Sequence, residues 1–306
     1  MTAIRSFLHA EVLLLLAAGC ASAPVVQRAP VREQPIVFLD NQPARPFVEL
    51  KVGQSVGYFL LDTGAAAHVM SDWFFHAAFP ERRVSGRTGF AIDFSGVPIP
   101  VTVVAKVGTS WADGQERDLE FGVGPFSTAG EADGLAGIIS PQALLELGGS
   151  LELDFPGRAL RWWPAPPERG VTYSLQERTL KACRASTKGA VIYAWAMAVE
   201  GRAVWAMMDT GSPLTAVTAE SDPGRLLSAR SHPVRSGYGV SRAPIETRAA
   251  PTRIDFGGVP WNGEVAIMKL PLAECGMSAL VGMNLLRRCS VVLSRDRGTV
   301  LCSPLR

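Results

Sequence analysis

Tyr58-Phe59-Leu60-Leu61-Asp62-Thr63-Gly64 decides how this chain is read, because it recurs in kind as Val204-Trp205-Ala206-Met207-Met208-Asp209-Thr210-Gly211. In each stretch an apolar run ends at an aspartate. The glycine two places later permits the sharp turn that tips the acid out of a buried strand. A single Asp-Thr-Gly is ordinary turn chemistry. Two copies with matched flanks indicate a duplication that delivers two carboxylates to one site from two half-molecules.

The flanks repeat as well. Phe47-Val48-Glu49-Leu50-Lys51-Val52 alternates apolar and polar ahead of a Gly53 turn, and Val191-Ile192-Tyr193-Ala194-Trp195-Ala196-Met197 precedes a turn at Glu200-Gly201. Both predict a hairpin whose second strand ends at the aspartate. Downstream come Leu135-Ala136-Gly137-Ile138 and Leu280-Val281-Gly282-Met283, each ahead of a short helix. Ser140 is the expected N-cap of the first helix, with Pro141 at its first position and Gly148 as its stop; Asn284 is expected to open the second. Each half then closes with a strand pair, 151–155 with 159–162 and 290–293 with 299–301. The fold class is therefore all-β, a tandem duplication of a β unit with few short helices.

With both motifs in view, the chain resembles the pepsin and retropepsin clan of aspartic proteases, from about Pro46 to Leu301. The short distance from each aspartate to its later glycine is similar to that of the compact retroviral-type lobe. The resemblance implies two retropepsin-like β-barrel lobes with a central cleft, Asp62 and Asp209 facing each other, sharing one proton and holding a water. It also implies that Thr63 and Thr210 bond across the interface, that Gly64 and Gly211 permit the turns, and that the later glycine motifs buttress the loops from beneath. Two like charges so close cannot both ionise, so the pair titrates as a unit; this enzyme class is the standard example. Peptide hydrolysis then needs no covalent intermediate. The lobes differ in one respect: Ala65 follows the first triplet and Ser212 the second. The Ser212 hydroxyl is expected to donate to Asp209, which would leave Asp209 with more of the charge and Asp62 with more of the proton.

Two segments are candidate flaps over a peptide substrate: Gly89-Phe90-Ala91-Ile92-Asp93-Phe94-Ser95-Gly96 in the first half and Ser236-Gly237-Tyr238-Gly239-Val240 in the second. Phe90, Phe94 and Tyr238 are their substrate-contacting candidates, with ordinary packing as the other reading. Pepsin-like enzymes carry their flap tyrosine in the first lobe, where this chain has none.

The N-terminus reads as an export signal: Arg5, a short apolar run from Val12 to Ala18, then Gly19-Cys20. It resembles a bacterial lipoprotein signal in which Cys20 becomes the lipidated first residue, with simple secretion as the alternative. That implies a membrane-tethered, periplasm-facing protein of the cell envelope, the outer membrane being favoured by Ala21. The expected organisation is a signal at 1–20, a spacer at 21–40, lobes at 41–164 and 183–306, and an inter-lobe linker at 165–182 around Pro164, Pro166 and Pro167. Four further cysteines lie in the second half. Cys289 and Cys302 flank the terminal hairpin, which would leave Cys183 to pair with Cys275.

Composition bounds the rest. The chain has 306 residues, 47% of them hydrophobic, 30 glycines, 22 prolines and a formal net charge of +2. Two small β cores are affordable, and the near-neutral charge speaks against nucleic acid as a partner. Four scattered histidines and the lack of any Cys-x-x-Cys give no metal-ligand spacing, so neither a metal nor another cofactor is expected. His68 reads as a packing or surface residue. The function that follows is an aspartic endopeptidase, with a non-catalytic peptide-binding or envelope assembly factor as the alternative. The distance between the aspartates favours a monomer whose lobes pair within one chain.

Overall fold

The computed structural model describes residues 29–92, 97–126, 135–145, 149–167, 171–174, 176–179, 191–234, 237–238, 244–270 and 276–303. The leader with Cys20, and the expected Cys183–Cys275 pairing, lie outside them.

In chain order the first half contains β1 (Arg32–Pro35), β2 (Val37–Leu39), β3 (Gln42–Val52), β4 (Ser55–Leu61), β5 (Val69–Ser71), α1 (Asp72–Ala78), β6 (Arg87–Ile92), β7 (Pro98–Ser110), β8 (Glu116–Gly124), β9 (Leu135–Ile139), α2 (Pro141–Leu144), β10 (Ser150–Asp154) and β11 (Ala159–Trp163). Six of these close into a barrel in the order β3-β4-β9-β5-β8-β7, sealed by Lys51 and Val52 of β3 against Ser110 and Thr109 of β7. Val48, Leu50 and Val52 point inward while Glu49 and Lys51 stay exposed, so strict alternation on β3 builds one wall of the core. Phe59 meets Phe74 of α1 edge-on at 5.5 Å between ring centroids, seating that helix on the barrel.

The second half repeats the plan with β12 (Val171–Ser174), β13 (Gln176–Thr179), β14 (Val191–Val199), β15 (Arg202–Met208), β16 (Ala216–Thr218), α3 (Asp222–Ser228), β17 (His232–Pro233), β18 (Gly237–Tyr238), β19 (Pro244–Ile245), β20 (Arg248–Phe256), β21 (Val259–Met268), β22 (Ala279–Val281), α4 (Met283–Leu286), β23 (Cys289–Leu293) and β24 (Arg297–Cys302). Its barrel runs β14-β15-β22-β16-β21-β20 and closes through Met197, Ala198 and Val199 against Phe256, Asp255 and Ile254. The all-β, two-barrel architecture with few short helices is as the sequence implied.

A third sheet was not foreseen. Its order is β1-β11-β10-β23-β24-β12, so strands from both halves lie side by side beneath the barrels. The seam is β10 against β23, pairing Leu151 with Leu293 and Leu153 with Val291. Glu152 sits on this seam with no exposed surface. It accepts from Ser290 Oγ of the other half at 2.7 Å and from Trp163 Nε1 at 3.0 Å, with Arg161 at 3.5 Å. These partners satisfy a carboxylate that would otherwise be costly to bury. Strands begin at Arg32, inside the stretch expected as a spacer, and β12 and β13 lie within the expected inter-lobe linker. The disulfide joins Cys289 to Cys302, which are direct cross-strand partners on β23 and β24, as expected.

The later glycines are not equivalent. Leu61 pairs with Ile139 and Met208 with Val281, which makes Ala279 the counterpart of Gly137 and Ser140 the counterpart of Gly282. Gly137 is buried mid-strand, where a Cβ would fall 2.2 Å from the Val69 carbonyl oxygen. Gly282 instead caps α4, so Asn284 lies inside that helix rather than opening it. Ser140 does cap α2, its hydroxyl accepting from Ala143 N–H at 3.2 Å with Pro141 behind it.

Candidate active site

Asp62 and Asp209 arrive at the ends of equivalent strands. Each aspartate N–H donates to the last residue of the parallel neighbouring strand, Asp62 to the Ile139 carbonyl at 3.0 Å and Asp209 to the Val281 carbonyl at 2.9 Å. The following threonines, both fully buried, then exchange bonds across the two halves. Thr63 Oγ1 donates to the Met208 carbonyl at 2.6 Å and accepts from Thr210 N–H at 3.1 Å. Thr210 Oγ1 donates to the Leu61 carbonyl at 2.5 Å and accepts from Thr63 N–H at 3.1 Å. Four backbone groups at the ends of two buried strands are satisfied by two hydroxyls, a clasp that fixes one loop against the other.

The clasp brings the two carboxyls close together: a Cβ built on Gly64 would lie within 3.0 Å of an oxygen of each. The glycines show how tightly the site is built. A Cβ on Gly64 would lie 2.9 Å from Asp209 Oδ1, and one on Gly211 would lie 2.6 Å from Asp62 Oδ2. No side chain fits there; only glycine lets each loop back approach the opposing carboxyl. Asp62 Oδ1 accepts from Gly64 N–H at 2.7 Å, and Asp209 Oδ1 accepts from Ser212 N–H at 3.1 Å. Asp209 is 1% exposed, and among the described residues no N–H or hydroxyl donor reaches its Oδ2. A proton on Asp209, donated to Asp62, satisfies that oxygen and removes the repulsion between the two acids.

Electrostatics favours the same assignment. Burial pushes both carboxyls above the usual aspartate range. Asp209 is raised well above it, because the charge of Asp62 adds to the loss of solvent. For Asp62 the rise from burial is opposed by Gly64 N–H, by the bond from Asp209 and by the positive charge of Arg45. Asp209 is thus the more strongly raised of the two, against the sequence expectation that it carries more of the charge. The reason is local. The Ser212 hydroxyl turns away and donates to the Leu214 carbonyl at 2.7 Å, so only its backbone N–H serves Asp209.

A polar layer beneath the loops was missed by sequence reasoning. Ser140 Oγ donates to the Ala65 carbonyl at 2.6 Å, Gln142 Nε2 donates to the Thr63 carbonyl, and Ser140 N–H donates to His68 Nδ1 at 3.1 Å. His68 is 5% exposed, and burial drives its pKa down to about 4, which leaves a neutral ring rather than a base. In the second half Thr215 Oγ1 accepts from Gly282 N–H at 3.0 Å and donates to Asn284 Oδ1 at 2.8 Å. The sequence signals for this layer were Ser140 and Asn284, each legible only as a residue expected to open a helix.

The flap candidates fall differently. Phe90 lies on β6, the outer strand of the β6–β7 hairpin, and is 58% exposed. Phe94 lies outside the described residues. Gly237 and Tyr238 form β18, paired with β19, and the Tyr238 side chain is outside the description.

No protein-family model and no curated protein matches the chain. Among solved structures it is similar to the aspartic proteinase from Irpex lacteus, with a TM-score of 0.51 and 12% identity, over 89% of this chain and 97% of that one. At that identity the likeness is one of fold: two barrels in one chain, with the whole length of a pepsin-like protein represented.

Proposed function

We propose that this chain is an aspartic endopeptidase in which Asp62 is the base and Asp209 the acid. The observation that carries the reading is a pair of carboxyls brought together at the junction of two barrels, their loops clasped by Thr63 and Thr210. Asp62 takes a proton from water as its oxygen bonds to the peptide carbonyl carbon, and Asp209 gives its proton to the carbonyl oxygen. The C–N bond then breaks: the amine takes the proton Asp62 gained, and Asp209 recovers one from the diol. The resting division of charge suits this order of events, because the base is already ionised and the acid already protonated.

An extended peptide is the expected substrate, with two exposed apolar residues, Phe90 on the β6–β7 hairpin and Leu214 beyond the second triplet, as candidate contacts. The test is incubation of the chain from about residue 21 with a diverse peptide library over a pH series, with and without a statine-type transition-state mimic. Cleavage that the mimic blocks, and that both Asp62→Asn and Asp209→Asn abolish, is the expected result; cleavage surviving either substitution sinks the mechanism. Peptide retention without cleavage would instead favour a binding or assembly role.

We also propose that Cys20 carries the lipid that tethers the enzyme to the envelope as a monomer. The support is the leader from Arg5 to Ala21. Mass analysis of the N-terminal peptide from a Gram-negative host should find acylated Cys20; an unmodified N-terminus would establish secretion instead.

A further inference from the structure

The two halves support their aspartate loops with different atoms. Register fixes the comparison: Val69 pairs with Ile138 and Gly122, and Ala216 pairs with Leu280 and Ala266. The carbonyls just before these residues also take matching bonds, His68 from Gly122 N–H at 3.0 Å and Thr215 from Ala266 N–H at 2.9 Å. His68 therefore corresponds to Thr215, Ala65 to Ser212, Ser140 to Gly282 and Pro141 to Met283. In the second half the loop rests directly on backbone: Met283 N–H donates to the Ser212 carbonyl at 2.9 Å, and Gly282 N–H donates to Thr215 Oγ1 at 3.0 Å. The approach is so close that a Cβ on Gly282 would fall 2.2 Å from the Leu214 carbonyl oxygen.

The first half cannot copy this arrangement. Pro141 stands where Met283 does and has no N–H to give. Ser140, with no exposed surface, carries a Cβ where Gly282 can have none, and its hydroxyl donates to the Ala65 carbonyl at 2.6 Å, the group that backbone serves in the other half. The Ser140 N–H goes to His68 Nδ1 at 3.1 Å, in the place of Thr215 Oγ1. Ala65 in turn closes the loop, its N–H donating to the Asp62 carbonyl at 3.3 Å, and the adjoining Gly64 N–H donates to Asp62 Oδ1 at 2.7 Å. We propose that Ser140 is a positioning residue of the first catalytic loop: its hydroxyl replaces the backbone N–H that Pro141 removes and, by holding Ala65, keeps Gly64 N–H aimed at Asp62. Capping of α2 is a separate task of the same oxygen, which accepts from Ala143 N–H while its proton goes to Ala65. This deepens the peptidase reading and rests on it for its catalytic consequence, though the aim of Gly64 can be measured without activity.

The test uses the full chain with carbon-13 label in the aspartate carboxyls, the two signals being identified with Asp62→Asn and Asp209→Asn, beside kcat and KM on a cleaved peptide. Glycine caps a helix almost as well as serine, so Ser140→Gly removes the donor and leaves the cap nearly intact. A hydrogen bond to a carboxylate lowers its pKa, so loosening Gly64 should move the Asp62 titration up by about 0.5 pH unit, with kcat down about tenfold and KM within about twofold. Ser140→Gly/Pro141→Met gives the first half the second half's own pair and restores an N–H. It should return the Asp62 titration to within about 0.2 pH unit of wild type and recover most of kcat. A role in capping alone predicts the reverse, because losing a proline from the first helical position adds to the damage. An unmoved Asp62 titration in Ser140→Gly, or a double variant worse than the single one, overturns the proposal. If Ser140→Gly does not fold, the double variant decides: a folded chain with the wild-type Asp62 titration supports the proposal, and an unfolded one overturns it. Absence of cleavage in every form, with the titration shift and its reversal in place, would sink the peptidase reading and leave the role of Ser140 standing.

Discussion

Replacing Thr63 by valine keeps the shape of the side chain and removes one oxygen, which leaves the Met208 carbonyl and Thr210 N–H without partners inside the lobe junction. Each orphaned buried group costs about 1–3 kcal/mol, so the variant should lose about 2–6 kcal/mol. That is a large share of the roughly 5–15 kcal/mol that holds an ordinary domain folded. Thr210→Val orphans the Leu61 carbonyl and Thr63 N–H and should cost a similar amount. The double variant should cost less than the sum, because once the loops part the second hydroxyl has nothing left to hold. Thr63→Ser retains the hydroxyl and serves as the control. Urea unfolding followed by tryptophan fluorescence measures all four, and kcat/KM on a cleaved peptide should fall with the valine variants as the carboxyls lose their alignment. A loss below about 1 kcal/mol for Thr63→Val, or strict additivity, would refute the clasp as an energetic unit.

Asp209→Asn should raise the thermal midpoint at neutral pH while abolishing cleavage, because a carboxyl whose folded pKa is raised contributes stability that fades as pH rises; a lowered midpoint would contradict its assignment as the buried acid. His68 has the opposite sign. Its pKa falls from 6.5 to about 4 on folding, so the unfolded chain takes up a proton first and stability should drop by about 3 kcal/mol as pH falls from about 6.5 to about 4. His68→Gln, which can still accept from Ser140 N–H, should flatten that part of the curve in urea titrations at pH 7 and pH 4. Cys302→Ser opens a bond between residues 13 apart and should cost about 3 kcal/mol, read as a lower urea midpoint under non-reducing conditions; no change would mean the cysteines are not joined in solution.

What could be read from the chain was whatever local pattern dictates. Alternation in Phe47–Val52 and the apolar run up to Asp62 fix a hairpin that ends at an acid, and the same pattern before Asp209 doubles it. Ser140-Pro141 announces α2, and Cys289 and Cys302 flank a hairpin short enough to pair them. What escaped depends on contacts between residues far apart in sequence. β10 meets β23 only because two lobes dock, and nothing in Leu151-Glu152-Leu153 specifies Val291 and Leu293 as partners. The direction of the Ser212 hydroxyl depended on a competing acceptor two residues away, the Leu214 carbonyl, which is a choice between near-equal bonds that pattern cannot make. The mismatch of Gly137 with Gly282 has a related cause: glycine serves both close strand packing and helix capping, and the letter alone does not say which.

The sheet beneath the barrels imposes a timetable on the birth of the molecule. Strands β10 and β11 leave the ribosome with the first half, but the edge of β10 is covered by β23, whose Ser290 follows Glu152 by 138 residues. At ordinary synthesis rates that edge, with Glu152 awaiting Ser290, stands open for on the order of ten seconds. Throughout that interval the first half can finish its barrel but not its floor. Any other strand of suitable register, including β10 of a neighbouring nascent chain, is a competitor for the same edge. The seam thus closes only when β23 arrives, and the two halves reach their final stability together.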